Sequence, residues 1–197
     1  MSEKNRSERV IGLVAIFVAV IALGVGFAAY SQTLTINGSG EVKASSWQVR
    51  FENLSAASTT GTALETTAPT INTNDTNIGE YDVSFQTPRD SISYTFDIAN
   101  NGTFDAEISS ITIPTPECTG NGDNATTDAQ NVCSNLEYKL TYTDGGATVS
   151  QGDTLNHGEK KNVTLTLTYK DTITAEQLPT DDVNIDNLGI NIIYSQK

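Results

Sequence analysis

An uncharged run of 21 residues at positions 10–30, VIGLVAIFVAVIALGVGFAAY, constrains this chain more than any other feature. As a helix it is roughly 31 Å long at ~1.5 Å per residue, enough to cross a hydrocarbon core about 30 Å thick. The basic residues near it, Lys4, Arg6 and Arg9, all lie on its N-terminal side. Cytoplasmic flanks collect Lys and Arg, so residues 1–9 are expected to stay inside while everything from residue 31 crosses. The chain therefore reads as a basic flank, a signal or transmembrane helix at 10–30, and an extracellular or cell-surface part.

Two fates of the helix stay open. A secretory signal has an apolar core of about 7 to 15 residues, and this run is longer, which favours a retained anchor. Against that, Gly26-Phe27-Ala28 or Ala29-Tyr30-Ser31 offers a signal peptidase its small side chains, so any cleavage is expected at Ala28, Ala29, Tyr30 or Ser31. Gly12, Ala15, Ala19, Ala22, Gly26 and Ala29 also form a stripe on one helix face. Such a stripe lets membrane helices pack closely, but it is equally ordinary in an Ala- and Gly-rich signal segment.

The outer part, residues 31–197, suits one domain with long loops. The chain's formal charge is −13, and residues 1–30 contribute +1, so the outer part carries −14. That balance keeps an exported protein soluble and repels phosphate backbones, which excludes nucleic acid as an expected partner. The only two cysteines, Cys118 and Cys133, lie in one polar stretch. Outside the cell they are expected to form a disulfide that staples a local loop, worth ~3 kcal/mol for a loop of about 15 residues. Neither a Cys-x-x-Cys redox pair nor a sufficient ligand set for zinc is present.

Strand signals dominate the rest. Leu34 and Ile36 alternate with polar residues, Asn37, Gly38, Ser39 and Gly40 interrupt, and Val42 resumes; residues 31–44 thus read as an N-terminal strand and linker. Trp47, Val49 and Phe51 alternate next, predicting a strand whose two aromatic side chains sit in the core. Residues 55–79 read as a long surface excursion. Then come Tyr81, Val83 and Phe85; Ile92, Tyr94, Phe96 and Ile98; and Phe104, Ala106 and Ile108, with hairpins expected at Pro88, Arg89 and Asp90 and at Asn100, Asn101 and Gly102. A slip of the alternation predicts a bulge at Ser109 and Ser110. Leu136 to Tyr142, Val163 to Tyr169, and Leu188, Ile190, Ile192 and Tyr194 supply further strands, with one helical turn at Ala175, Glu176 and Gln177 and no longer helix beyond the membrane run. Eight or nine short strands predict an all-β fold over residues 45–197, an antiparallel β-sandwich of Greek-key or jelly-roll-like type preceded by the hydrophobic helix.

Catalytic patterns are missing. His157 is the one histidine and sits in a turn-like stretch, so neither a His-Glu-x-x-His site nor a Gly-x-Ser-x-Gly elbow with its triad is formed. The acidic clusters around Asp75, Asp123 and Asp181 lack the spacing of an EF-hand loop. Leu178-Pro179-Thr180 resembles the start of a cell-wall sorting signal but is followed by neither its glycine nor a hydrophobic tail. The triplets at Asn53, Asn101, Asn124 and Asn162 match the glycan acceptor pattern, as chance allows in so Asn- and Thr-rich a chain. No enzyme activity, cofactor or metal site is expected.

Two stretches carry a family likeness: the junction Gly26-Phe27-Ala28-Ala29-Tyr30-Ser31, and residues 88–106, PRDSISYTFDIANNGTFDA. They resemble the export signal and the strand, Asn-Gly turn and strand unit of the TasA/camelysin family of bacterial biofilm-matrix proteins. The resemblance implies export through a dedicated signal peptidase, a jelly-roll-like sandwich, and self-association into fibres in which one subunit's N-terminal strand completes the next subunit's sheet. Leu34 and Ile36 would be the donor-strand residues. Some members of that family are described as proteases, and this chain lacks the zinc pattern for it. The alternative expectation is a membrane-anchored extracellular binding or adhesion domain that does not polymerise.

Overall fold

The computed structural model describes residues 39–197. The helix at 10–30, the cleavage positions Ala28, Ala29, Tyr30 and Ser31, and the strand residues Leu34 and Ile36 therefore lie outside the described residues. Within them the chain is mostly β, with twelve strands, one α-helix and one 3-10 turn, and the strand pairs are antiparallel. No described helix is long and apolar enough to cross a membrane.

The largest sheet has five strands. Its order is β1 (Val49–Glu52), β5 (Ser91–Asn100), β10 (Lys160–Tyr169) and β8 (Leu136–Tyr142), with β2 (Ser58–Thr60) paired to the start of β5. A three-stranded sheet runs β12 (Asn191–Gln196), β6 (Ala106–Thr112) and β9 (Thr154–Leu155). Two ribbons complete the set: β3 (Leu64–Thr67) with β4 (Asp82–Ser84), and β7 (Glu117–Gly120) with β11 (Val183–Asp186). Helix α1 (Ala125–Ser134) lies between β7 and β8 in the chain.

Alternation explains the core. In β5 every second residue, Ile92, Tyr94, Phe96 and Ile98, is buried, while Ser91, Ser93, Thr95 and Asp97 are half-buried on the other face. One cluster joins Phe96, Ile98, Leu140 and Val163 of the large sheet to Ala106 and Ile108 of β6 and Leu155 of β9. A second joins Ile92, Tyr94, Leu136, Leu167 and Tyr169 to Val132 of α1 and Ile173. Phe51 meets Phe96 edge-on at 5.4 Å, as a core aromatic should.

Several expectations are corrected. Neither expected hairpin forms: β4 pairs with β3, and β5 and β6 belong to different sheets, because both edges of β5 are already taken by β1, β2 and β10. The turn at Asn100 is a corner instead. The buried Asn100 side chain donates to the carbonyls of Phe104 (2.8 Å) and Leu155 (3.0 Å) and accepts from the Gly102 amide (3.1 Å), carrying the chain from one sheet to the other. Gly102 is needed there for closeness, since a Cβ would lie 2.8 Å from the Ser46 carbonyl. Trp47 is 47 % exposed and precedes β1, so it is not a core residue. Residues 39–48 form no strand and Val42 is fully exposed. Helix α1 is longer than the single turn expected beyond the membrane run, and it carries no apolar periodicity because Val132 is its only large buried apolar residue. The bulge does occur: Ile108 faces Tyr194 and Ser110 faces Ile193, leaving Ser109 as the extra residue. The turn at Ala175–Gln177 is also present.

The entry to β5 is held by a fully buried carboxylate. Asp90 accepts from the amides of Thr62 (2.7 Å), Gln86 (2.7 Å) and Thr87 (2.9 Å) and from the hydroxyls of Thr62 (2.7 Å) and Thr87 (3.1 Å). Burial pushes its pKa upward, but the bonds from Thr87, Thr62 and Gln86 outweigh it and bring the group to about 2 from an ordinary 3.8. Between those values the unfolded chain binds more protons than the folded one, so stability rises with pH in that window and is lost as pH falls through about 2. Asp90→Ala, which leaves three part-buried amides and two hydroxyls without their acceptor, is expected to cost about 2 kcal/mol at neutral pH. In urea melts the variant should also show a flatter dependence on acidity between the two values.

Candidate functional site

The two clusters leave the middle of the large sheet's inner face incompletely covered. Register places Leu165 of β10 opposite Tyr94 on one side and Leu140 on the other, with Tyr138 two pairs further along β8, opposite Leu167. Over this row runs a groove of about 1000 Å³. One wall is residues 76–82, which lead into β4; the other is residues 185–192, from the end of β11 to the start of β12. Leu165 and Tyr138 on its floor are half-buried, whereas their neighbours Tyr94 and Leu140 are buried.

The walls carry backbone free to bond. Among the described residues, strands β4 and β12 each pair on one side alone, and Asp82, Asn191 and Ile192 from their first residues line the groove. Among the described residues, positions 187–190 make no backbone–backbone hydrogen bond. Side chains hold them instead. The Tyr138 hydroxyl donates to the Leu188 carbonyl, and Asn187 Nδ2 donates to the Thr115 carbonyl (3.2 Å) and Glu117 Oε1 (3.3 Å). Asn187 itself has a φ of 62°, a conformation asparagine tolerates better than branched residues. The expected strand through Leu188 and Ile190 therefore begins later, at Asn191.

Three tyrosines shape the electrostatics. The Tyr94 hydroxyl donates to Glu65 Oε1 at 2.7 Å, and burial followed by that carboxylate raises its pKa. Burial raises Tyr138 as well, and pushes Tyr81 far above the ordinary phenol range. The Tyr81 hydroxyl lies beside that of Tyr138 without hydrogen-bond geometry to it or to any other described group. All three remain neutral phenols at physiological pH, so the floor is apolar with polar points, the usual character of a binding surface. Glu80, Asp82 and Asp186 lie along the walls.

Other expected site residues are placed elsewhere. Cys118 and Cys133 are joined, with Cα atoms 5.8 Å apart, but the bridge ties strand β7 to helix α1 where a loop staple was expected. His157 is exposed in the loop before β10, its ring Nδ1 against the Gly102 carbonyl and its amide donating to Asp105 Oδ1 at 2.7 Å. Among the described residues no three His, Cys, Asp or Glu side chains are grouped to hold a metal ion. The groove has no local sign in the sequence, since its lining comes from segments distant along the chain. The chain matches no protein-family model, and no curated protein or solved structure matches it.

The two hydroxyls predict opposite outcomes. Tyr138→Phe leaves the Leu188 carbonyl without its donor and is expected to cost about 1 kcal/mol. Tyr81→Phe removes a buried hydroxyl with no partner among the described residues and is expected to leave stability unchanged or raise it by about 0.5 kcal/mol. Paired denaturant titrations of the two variants check the difference.

Proposed function

We propose that this chain is an exported structural subunit of an extracellular fibre, pilus or biofilm matrix, built as a jelly-roll-like β-sandwich behind an N-terminal hydrophobic helix and assembling by strand donation. The observation that carries this is the groove: an apolar row at the centre of a sheet, flanked by strands whose outer edges are unpaired among the described residues. An exposed sheet edge accepts backbone hydrogen bonds from another chain, and pockets between alternate residues select its side chains. The likeness of residues 88–106 to the TasA/camelysin unit points the same way. So does composition, because residues 31–40, SQTLTINGSG, carry no charge and alternate Leu34 and Ile36 with threonines.

In this proposal, export and release from the helix free residues 31–44 of one copy, whose Leu34 and Ile36 enter the groove of the next while Asn37 to Gly40 act as the hinge. Transfer of an identical element in one direction generates an open filament. Uncleaved protein stays at the membrane through residues 10–30. No nucleic acid, cofactor or catalysis is part of the proposal.

Leu34→Asp combined with Ile36→Asp is expected to abolish fibres seen by electron microscopy, while circular dichroism and melting of the domain stay within error of the parent. Cleaved protein that remains monomeric by light scattering over a wide range of concentration and pH would overturn assembly and favour the anchored binding domain.

A further inference from the structure

The groove wall at 187–190 hangs between two ladders. On one side β12 continues along β6; on the other β11 continues along β7, with Val183 facing Gly120 and Asp186 facing Glu117. Because β6 runs into β7 and β11 into β12, the whole is one long ribbon interrupted opposite the groove. The β6 end is fixed by the first core cluster. The β7 end is fixed to the large sheet by helix α1, which runs through Asn135 directly into β8. The Cys118–Cys133 bridge makes that attachment, together with Asp128 accepting from the amide and hydroxyl of Thr180, both at 2.9 Å, and Asn124 Nδ2 donating to the Thr180 hydroxyl at 3.4 Å. Val183, Ile185 and Leu188 add partly buried apolar contacts to the second cluster. Of these attachments the bridge alone is covalent.

Both cysteines are half-buried, so a small thiol can reach them. They are also the chain's only cysteines, so a reductant has no other target. We propose that the Cys118–Cys133 bridge is a redox latch for the groove: formed after export, it fixes the wall at 187–190 and makes the chain competent to accept a strand, whereas the reduced chain is not. This rests on the assembly proposed above. In the reducing cytoplasm the open latch keeps newly made chains from joining prematurely. Opening follows ordinary thiol–disulfide exchange. The thiolate of a low-molecular-weight dithiol attacks one sulfur, the S–S bond breaks, and a second exchange releases the reagent as its own disulfide. Two electrons and two protons pass to Cys118 and Cys133, which become thiols.

Exported protein, oxidised or reduced with dithiothreitol and alkylated, and the Cys118→Ser/Cys133→Ser variant are compared by hydrogen exchange and by light scattering. Reduction is expected to speed amide exchange in residues 183–190 by about tenfold or more while β5 and β10 are unchanged, and to slow assembly by a similar factor. The double variant should match the reduced protein. Unchanged exchange at 183–190, equal acceleration in β5 and β10, a double variant that behaves as oxidised protein, or loosening without slower assembly would each overturn the latch. If neither redox state assembles, the strand-donation proposal fails, while selective loosening of 183–190 would still locate the latch.

Discussion

Nine cross-strand pairs between β5 and β10, from Ser91 opposite Thr168 to Ala99 opposite Lys160, set the register on which the other contacts depend. A slip of one residue would turn Ile92, Tyr94, Phe96 and Ile98 outward and bury Ser91, Ser93, Thr95 and Asp97 in their place. At about 25 cal/mol per Å² of apolar surface, four large side chains make that exchange prohibitive. The same register brings Leu165 beside Tyr94, and the pairing of β10 with β8 adds Leu140, so the core and the groove floor follow from the two pairings of β10.

Register alone does not stop a long strand from sliding or fraying, and β5 is pinned at both ends by a buried polar side chain. Asp90 collects three amides and two hydroxyls at the start, and Asn100 bonds three backbone groups at the finish. Both are satisfied, which is what makes full burial of a carboxylate and a carboxamide tolerable. Close approach at both ends requires glycine: a Cβ on Gly61 would lie 2.2 Å from Asp90 Oδ1, and one on Gly102 would meet the chain before β1. Each polar pin therefore doubles as the device that turns the chain away from its sheet.

Period-two alternation was legible wherever a strand packs on one face throughout its length, which is why β5, β8, β10 and the Ser109 bulge could be read directly. Connections were less legible. An Asn-Gly pair signals a reversal, but whether the next strand returns beside its predecessor depends on whether an edge is free, and the strands occupying that edge are remote in sequence. Helix α1 escaped for another reason: a single large apolar residue, a bridge to Cys118 and a carboxylate bonded to Thr180 hold it, and none of these has a helical period. Trp47 misled because alternation continues through it while the strand begins two residues later. The groove leaves no such pattern, since its floor and walls come from seven separate strands and the connections between them.

An apolar row between unpaired edges is a hazard for any protein that must stay soluble before it assembles. The acidic walls offer a physical filter. Glu80, Asp82 and Asp186 line the groove, and the chain as a whole carries −13, so strands of other copies that carry a carboxylate and no base, such as β3, β4, β7 and β11, meet like charge there. Residues 31–40 bring none. In the proposed fibre the uncharged segment thus enters without that repulsion, and specificity arises as much from the exclusion of other strands as from the fit of Leu34 and Ile36. Repulsion between exposed carboxylates is screened beyond about 10 Å at 0.1 M salt, so the filter acts at close range, after encounter and before the backbone bonds form.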